Sequence, residues 1–194
     1  MTTDNLKLWK SVEKTDPNHT KKVNQRGGFT AIDAHYQVQQ ATEAFGAVGI
    51  GWGYDCEYQF PDKTVICLLS FWHGDRANRF GPIAGCAKFN DGRLDPDAPK
   101  KAMTDALTKA LSHLGFNADV FLGKFDDNKY VQQVTKEFAP KPITTAEEAR
   151  EKISQAIDRS ALTDTWSRLT SELKSDEDLA EFAKLRSQEF TTTK

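Results

Sequence analysis

The sequence predicts an α+β domain followed by an all-helical module, and three observations carry that prediction. Apolar residues recur with helical spacing at Met103, Ala106, Leu107, Ala110, Leu111 and Leu114. Upstream, Trp52, Tyr54, Cys56, Tyr58 and Phe60 alternate with Gly53, Asp55, Glu57 and Gln59, the period of a strand. Two further strand-like runs follow across connections too short for parallel crossovers, so an antiparallel three-stranded meander packed on the Met103–Leu114 helix is expected. The Ala139-Pro140-Lys141-Pro142 linker divides a core domain, residues 1–138, from a helical module, residues 139–194.

Taken in order, residues 1–28 show no clear period. Leu6, Leu8 and Trp9 can dock on a core, and Thr15-Asp16-Pro17-Asn18 marks a turn. Lys21, Lys22 and Arg26 beside Gly27-Gly28 make a cationic segment, readable as a solvated loop or as an arm that tracks phosphates. Thr30 and Asp33 form a weakened capping box that opens a helix to Phe45, with Ala34, Val38, Ala41 and Phe45 as its buried stripe. His35 and Tyr36 lie near its start, and Gly46 and Gly49 end it.

The strands are read as Gly51–Phe60, Thr64–His73 and Phe80–Phe89. The second is apolar on both faces and so central. Pro61–Lys63 and Gly74–Asn78 are the turns, and Asn90 and Gly92 break the last strand. Pro99 suits the first turn of the following helix and Gly115 its stop. Its outward face carries Lys101, Asp105, Thr108, Lys109 and Ser112. Asn117–Phe125 reads as a compact turn, and Asp126-Asp127-Asn128 as the cap of a further turn holding Lys129 and Tyr130. In the module, Thr145 with Glu148 starts a helix through Ile153 and Ile157. Ser160 starts a second, with Leu162, Trp166, Leu169 and Leu173 on one face. Ser175 with Asp178 starts a third, with Leu179, Phe182 and Leu185, before a frayed tail at 191–194.

Composition narrows the class. With 194 residues, 38% hydrophobic and 28% charged, the chain fits an ordinary soluble protein. No apolar run approaches the roughly 18–20 residues of a membrane span, and the start shows no signal-peptide pattern. Cys56, Cys67 and Cys86 are widely spaced with no CxxC pair, which suits reduced, buried thiols in a cytosolic protein better than a metal site. The net charge of −2 excludes a uniformly basic protein. Residues 1–28 nevertheless hold six basic against three acidic side chains, and 138–194 nine against eleven. Any nucleic acid would therefore meet a local groove.

Chemistry-bearing motifs are few. The sequence contains no Walker A loop, GxGxxG after a strand, GxSxG elbow or HExxH. Asp55, Glu57 and Asp62 allow a magnesium-dependent nuclease as an alternative, although a solvated strand face explains them more simply. Binding has better material: Lys88, Lys100, Lys101, Lys109, Arg76 and Arg79 fall at strand ends, a hairpin tip and a polar helix face, with Trp72, Phe80, Phe89 and Tyr130 interleaved. Cations for a backbone and aromatic faces for bases are the parts of a single-strand binding groove. Each part also has an ordinary reading, as a helix-surface ion pair or a core aromatic.

The order helix–strand–strand–strand–helix, with Glu43-x-Phe45-Gly46 leading to Gly51-Trp52 and Thr104-Asp105-Ala106-Leu107-x-Lys109-Ala110-Leu111 leading to Leu114-Gly115, resembles single-strand annealing proteins. The phage-encoded group similar to the annealing domain of the eukaryotic recombination mediator Rad fifty-two is the nearest branch, and the resemblance covers about Lys21 to Tyr130. It implies a homo-oligomeric ring or helical filament that binds single-stranded DNA without ATP, in the cytoplasm of a bacterial host, and pairs it into an annealed duplex. It implies no catalytic residue and no required cofactor; magnesium could bridge DNA and protein. By the same resemblance Lys109 is a DNA contact, Thr108 stands where the eukaryotic branch has a second basic residue, and Lys100 and Lys101 lie where further basic residues occur. Tyr36 stands where that branch offers an arginine. The C-terminal helices would assist assembly or recruit a host single-strand binding protein or a phage exonuclease. An adaptor whose helical tail binds partners is the other non-enzymatic reading.

Overall fold

The computed structural model describes residues 4–24, 27–89 and 92–192, with the backbone alone at 191 and 192. Arg26, Asn90 and the last two residues of the expected tail lie outside that set. The chain divides into two compact units between Phe138 and Ala139.

The first unit is α+β. Its centre is an antiparallel sheet of β3 (Trp52–Gln59), β4 (Thr64–His73) and β5 (Asp75–Lys88), in that spatial order, packed against α3 (Ala98–His113). On β4, Val65, Cys67, Leu69 and Phe71 are fully buried. Their period of two turns one face of the sheet onto the helix. On α3 the fully buried residues are Leu111 and Ala98, Ala102, Ala106 and Ala110, the four alanines forming a row of small side chains at four-residue spacing. That row lets the helix backbone come down on the sheet. The contact is closest at Gly85, where an added Cβ would stand 2.1 Å from the Ala102 carbonyl oxygen and 2.4 Å from the Ala106 nitrogen. Only glycine fits there.

α2 (Ala34–Phe45) covers the other end of the core. Phe45 packs against Phe116 at 5.7 Å and stacks on His73 at 4.6 Å. Burial pushes the His73 pKa down. α1 (Lys7–Val12) closes the core through Val12, and Trp9 fills the space over Gly115. β1 (Thr20–Val23) and β2 (Phe29–Ile32) form a separate antiparallel hairpin, with Thr20 opposite Ile32 and Val23 opposite Phe29. After α3 come the single-turn α4 (Ala118–Phe121), a 3₁₀ turn at Lys124–Asp126 and α5 (Asn128–Phe138).

Several expectations are corrected. Thr30 lies in β2, and Asp33 alone caps α2 by accepting the His35 N–H at 2.8 Å. Lys21 and Lys22 thus lie in a strand and not in a loop, and Phe29–Ile32 is a strand and not the start of a helix. β5 begins at Asp75, directly after Gly74, so Arg76 and Arg79 lie in the strand and not at a hairpin tip. The expected turn around Tyr130 is the 11-residue helix α5. Of the thiols only Cys67 is buried; Cys56 is half-buried and Cys86 exposed. Burial, with a hydrogen bond to Cys67, pushes the Cys56 thiol up to about 12.

The second unit is helical: α6 (Ala146–Gln155), α7 (Arg159–Ser167), α8 (Ser171–Lys174) and α9 (Glu177–Thr192). Thr145 accepts the Glu148 N–H and Asp158 the Ala161 N–H, so capping chemistry sets both starts. Ile143, Ile153, Leu162, Leu169 and Leu179 form its core. Here too the helical faces differ from expectation. α6 stops before Ile157, which is 85% exposed; α7 ends before Leu169; and Leu185 on α9 faces solvent. Among the described residues no helix is long and apolar enough to cross a membrane.

Candidate functional site

The β1–β2 hairpin stands opposite the polar face of α3, and the two enclose an open groove of about 650 Å³. Phe29 to Ile32 line one side; on the α3 side Lys100, Lys101, Thr104 and Thr108 line it together with the carboxylates Asp97 and Asp105, and Phe121 of α4 also borders it. A second hollow of about 380 Å³, between α2 and α3, shares Lys100, Thr104 and Thr108 with the first. The two therefore form one strip along the helix. The helical repeat explains the wall: 100, 101, 104 and 108 share the face of α3 opposite to its alanine row.

A buried polar network fixes the hairpin beside that face. Thr108 Oγ1 donates to Gln37 Oε1 at 2.8 Å, and Gln37 Nε2 to Asn117 Oδ1 at 3.0 Å. Asn117 Nδ2 donates to Thr15 Oγ1 at 3.0 Å and to Gln40 Oε1 at 2.9 Å. Asp119, 1% exposed, accepts from Thr15 Oγ1 at 2.6 Å, the Thr15 N–H at 2.9 Å, the Tyr130 hydroxyl at 2.9 Å and its own neighbour, the Val120 N–H, at 2.9 Å. The carboxylate thus accepts from four hydrogen-bond donors, which fill the lone pairs it offers. Burial and the Asp119 hydrogen bond raise the Tyr130 pKa. From Thr15 the chain passes through a 3₁₀ turn at Pro17–His19 into β1, and Lys22 Nζ ties the hairpin to the Phe125 carbonyl at 3.1 Å.

The sequence-predicted cations divide among several places. Lys100 and Lys101 stand together in the groove. Lys101 Nζ donates to Asp95 at 2.6 Å, which holds the Asp95 carboxyl below its usual range and raises the lysine. Lys100 has no ion-pair partner among the described residues. Lys109 is turned to the edge of β5, where it meets Asp105 at 2.7 Å and the Ala84 carbonyl at 3.2 Å. Asp105 in turn accepts the Cys86 N–H at 3.1 Å, so this pair covers backbone groups on the sheet edge. Lys21 lines a separate hollow with His19 and Asp33, and Lys22 is engaged as described.

Arg76, Arg79 and Lys88 belong to the sheet face away from α3. Arg79 is opposite Trp72, which is opposite Gly53, and Lys88 is opposite Thr64. Directly opposed residues share a face, the one alternate to the buried Val65–Phe71 set. There Arg79 pairs with Asp55, and the Arg76 guanidinium lies 5.3 Å from the Trp72 ring. Asp55 and Glu57 line a small hollow with Arg79 on this face, while Asp62 sits in the β3–β4 turn at φ 50°. Among the described residues no three His, Cys, Asp or Glu side chains gather to hold a metal.

Tyr36 does not reach the groove by any contact of its hydroxyl. It stacks on His19 at 4.2 Å, accepts the Asp16 N–H at 3.3 Å, and its pKa is raised by burial. Trp72 is buried, Phe80 packs on Phe71 at 5.5 Å, and Asp119 pins Tyr130. The aromatic rings in the groove are instead Phe29 and Phe121, about half exposed at 50% and 49%. Sequence reasoning missed both: Phe29 is an isolated aromatic after Gly27-Gly28, and Phe121 lies in the short apolar run Val120-Phe121-Leu122, where no period marks which side chain faces the groove. No protein-family model matches this chain, and no curated protein matches it.

Proposed function

We propose that the chain binds single-stranded DNA along the groove between the β1–β2 hairpin and α3, and anneals complementary strands without ATP in recombination. The observation that carries this reading is the placement of Lys100 and Lys101 side by side on an open groove that Phe29 and Phe121 also line. Two ammonium groups on one helix face can follow a phosphate backbone, and contacts to the backbone bind without regard to sequence. The order of elements shared with single-strand annealing proteins gives the same reading from the sequence.

The mechanism needs no covalent step. Neutralising one strand's phosphates releases counterions and lowers its repulsion of a complementary strand. A strand held in order has less entropy to lose when it pairs, and the duplex supplies the driving force. One protomer spans few nucleotides, so further copies of the chain extend the groove by head-to-tail contact into a ring or filament. The setting would be the cytoplasm of a bacterial host.

ATP-free annealing of two labelled complementary oligonucleotides tests this reading. The protein should accelerate pairing well beyond the spontaneous rate. Lys100→Ala with Lys101→Ala should abolish most of the acceleration and lower the slope of log affinity against log salt by about 1.4, at about 0.7 per lost single-strand phosphate contact. An unchanged slope and rate in the folded double variant would refute it.

A further inference from the structure

We infer that the groove takes an unpaired base as well as a phosphate, with Phe29 and Phe121 as the stacking faces, so that each protomer anchors a base turned inward. This rests on the single-strand reading and deepens it. The remaining bases of the bound stretch stay outward, free to pair.

Three features point to a base. The first is the pair of rings. Phe29 and Phe121 are half exposed on the same groove, and among the described residues neither stacks on another ring. A phosphate gains nothing from an apolar wall; the flat face of a base gains by stacking. The second is how the rings are mounted. Phe29 is set by the β1–β2 ladder opposite Val23, and Phe121 follows Asp119, whose carboxylate is held on four hydrogen bonds. Both faces are presented by ordered backbone.

The third feature is the hydrogen-bonding sense of the threonine hydroxyls that line the groove beside the lysines. Thr104 Oγ1 donates to the Lys100 carbonyl at 2.9 Å, and Thr108 Oγ1 donates to Gln37 at 2.8 Å. Both protons are committed to the protein, so each hydroxyl offers the groove lone pairs alone. Phosphate oxygens also have only lone pairs and gain nothing there. Base edges carry N–H donors, and those match. The chemistry therefore separates within the groove: phosphate to Lys100 and Lys101, base to the threonines and the rings. The volume of about 650 Å³ lies within the range of pockets that enclose small organic ligands.

The test compares a thymine-bearing oligonucleotide with an abasic strand of the same length and phosphate number, by fluorescence anisotropy across a salt series. Full-length protein should prefer the strand with bases by about 5- to 150-fold per anchored base, the equivalent of about 1–3 kcal/mol for one base–aromatic stack. Phe29→Leu with Phe121→Leu should erase that preference and leave both abasic-strand binding and the salt slope unchanged. Leucine keeps the apolar volume, and circular dichroism confirms the fold. Equal affinity of the native protein for the two strands, or a preference that survives the double variant, would overturn the inference and leave single-strand binding intact. Binding to neither strand would remove both.

Discussion

Asp119→Asn is the perturbation that reaches furthest into the groove's support. In the native protein the carboxylate accepts the Thr15 N–H, the Thr15 hydroxyl, the Tyr130 hydroxyl and the Val120 N–H, all at 2.9 Å or less. Asparagine keeps the shape but replaces one acceptor by an NH₂ group. With its oxygen toward the Thr15 N–H and Tyr130, the amide faces the Thr15 hydroxyl and the Val120 N–H. Val120 retains a second acceptor, the Asn117 carbonyl at 3.1 Å. The Thr15 hydroxyl does not: its oxygen already accepts from Asn117, and its proton loses its partner. One buried donor is left unsatisfied, which costs about 1–3 kcal/mol. We expect about 2 kcal/mol, read as a lower urea midpoint at unchanged slope. The measurement is made in a Trp166→Phe background, so that tryptophan fluorescence reports only Trp9, Trp52 and Trp72 of the first unit. Tyr130→Phe, which leaves three donors on the carboxylate, should cost about 1 kcal/mol. Asp119→Asn within about 0.5 kcal/mol of the native protein, the range of ordinary surface substitutions, would refute the network's role.

Three other outcomes follow from the same geometry. Gly85→Ala drives a methyl group into the α3 backbone at 2.1 Å and should cost about 3 kcal/mol or more in urea unfolding, at the upper end for overpacking. His73 has a depressed pKa, so its neutral form is favoured in the folded state; stability should be level above about pH 6.5 and decline as pH falls through that unfolded-state value toward the folded one, a slope that His73→Phe removes in urea midpoints measured across pH. Asp95→Asn releases Lys101 from its ion pair and should tighten single-strand binding at low salt, the gain shrinking as salt rises.

Where the sequence carried a sustained period, the fold could be read from it. The α3 helix declares itself because its alanines and leucines must meet the sheet every third or fourth residue, and β4 because it is covered on the core side and lies between two strands. The β1–β2 hairpin was hidden for the opposite reason. Its strands have four residues each, with Lys21 and Lys22 outward, so neither builds an alternation long enough to see. The start of β5 reads as a turn because Asp75, Arg76 and Asn78 are polar, as an exposed edge strand allows. The site was half legible. Lys100 and Lys101 follow from the helical period, but Phe29 and Phe121 come from elements joined only by tertiary structure. Lys109, Arg76 and Arg79 are cationic by sequence, yet the fold sends them to a strand edge and to the opposite face of the sheet.

The most direct test of where the strand lies is photocrosslinking with single-stranded DNA carrying 5-iodouracil, mapped by peptide mass spectrometry. The account predicts crosslinks on peptides containing Phe29 or Phe121, reduced by Lys100→Ala with Lys101→Ala. Crosslinks confined to the Trp72–Arg79 face of the sheet or to the C-terminal helices would contradict it.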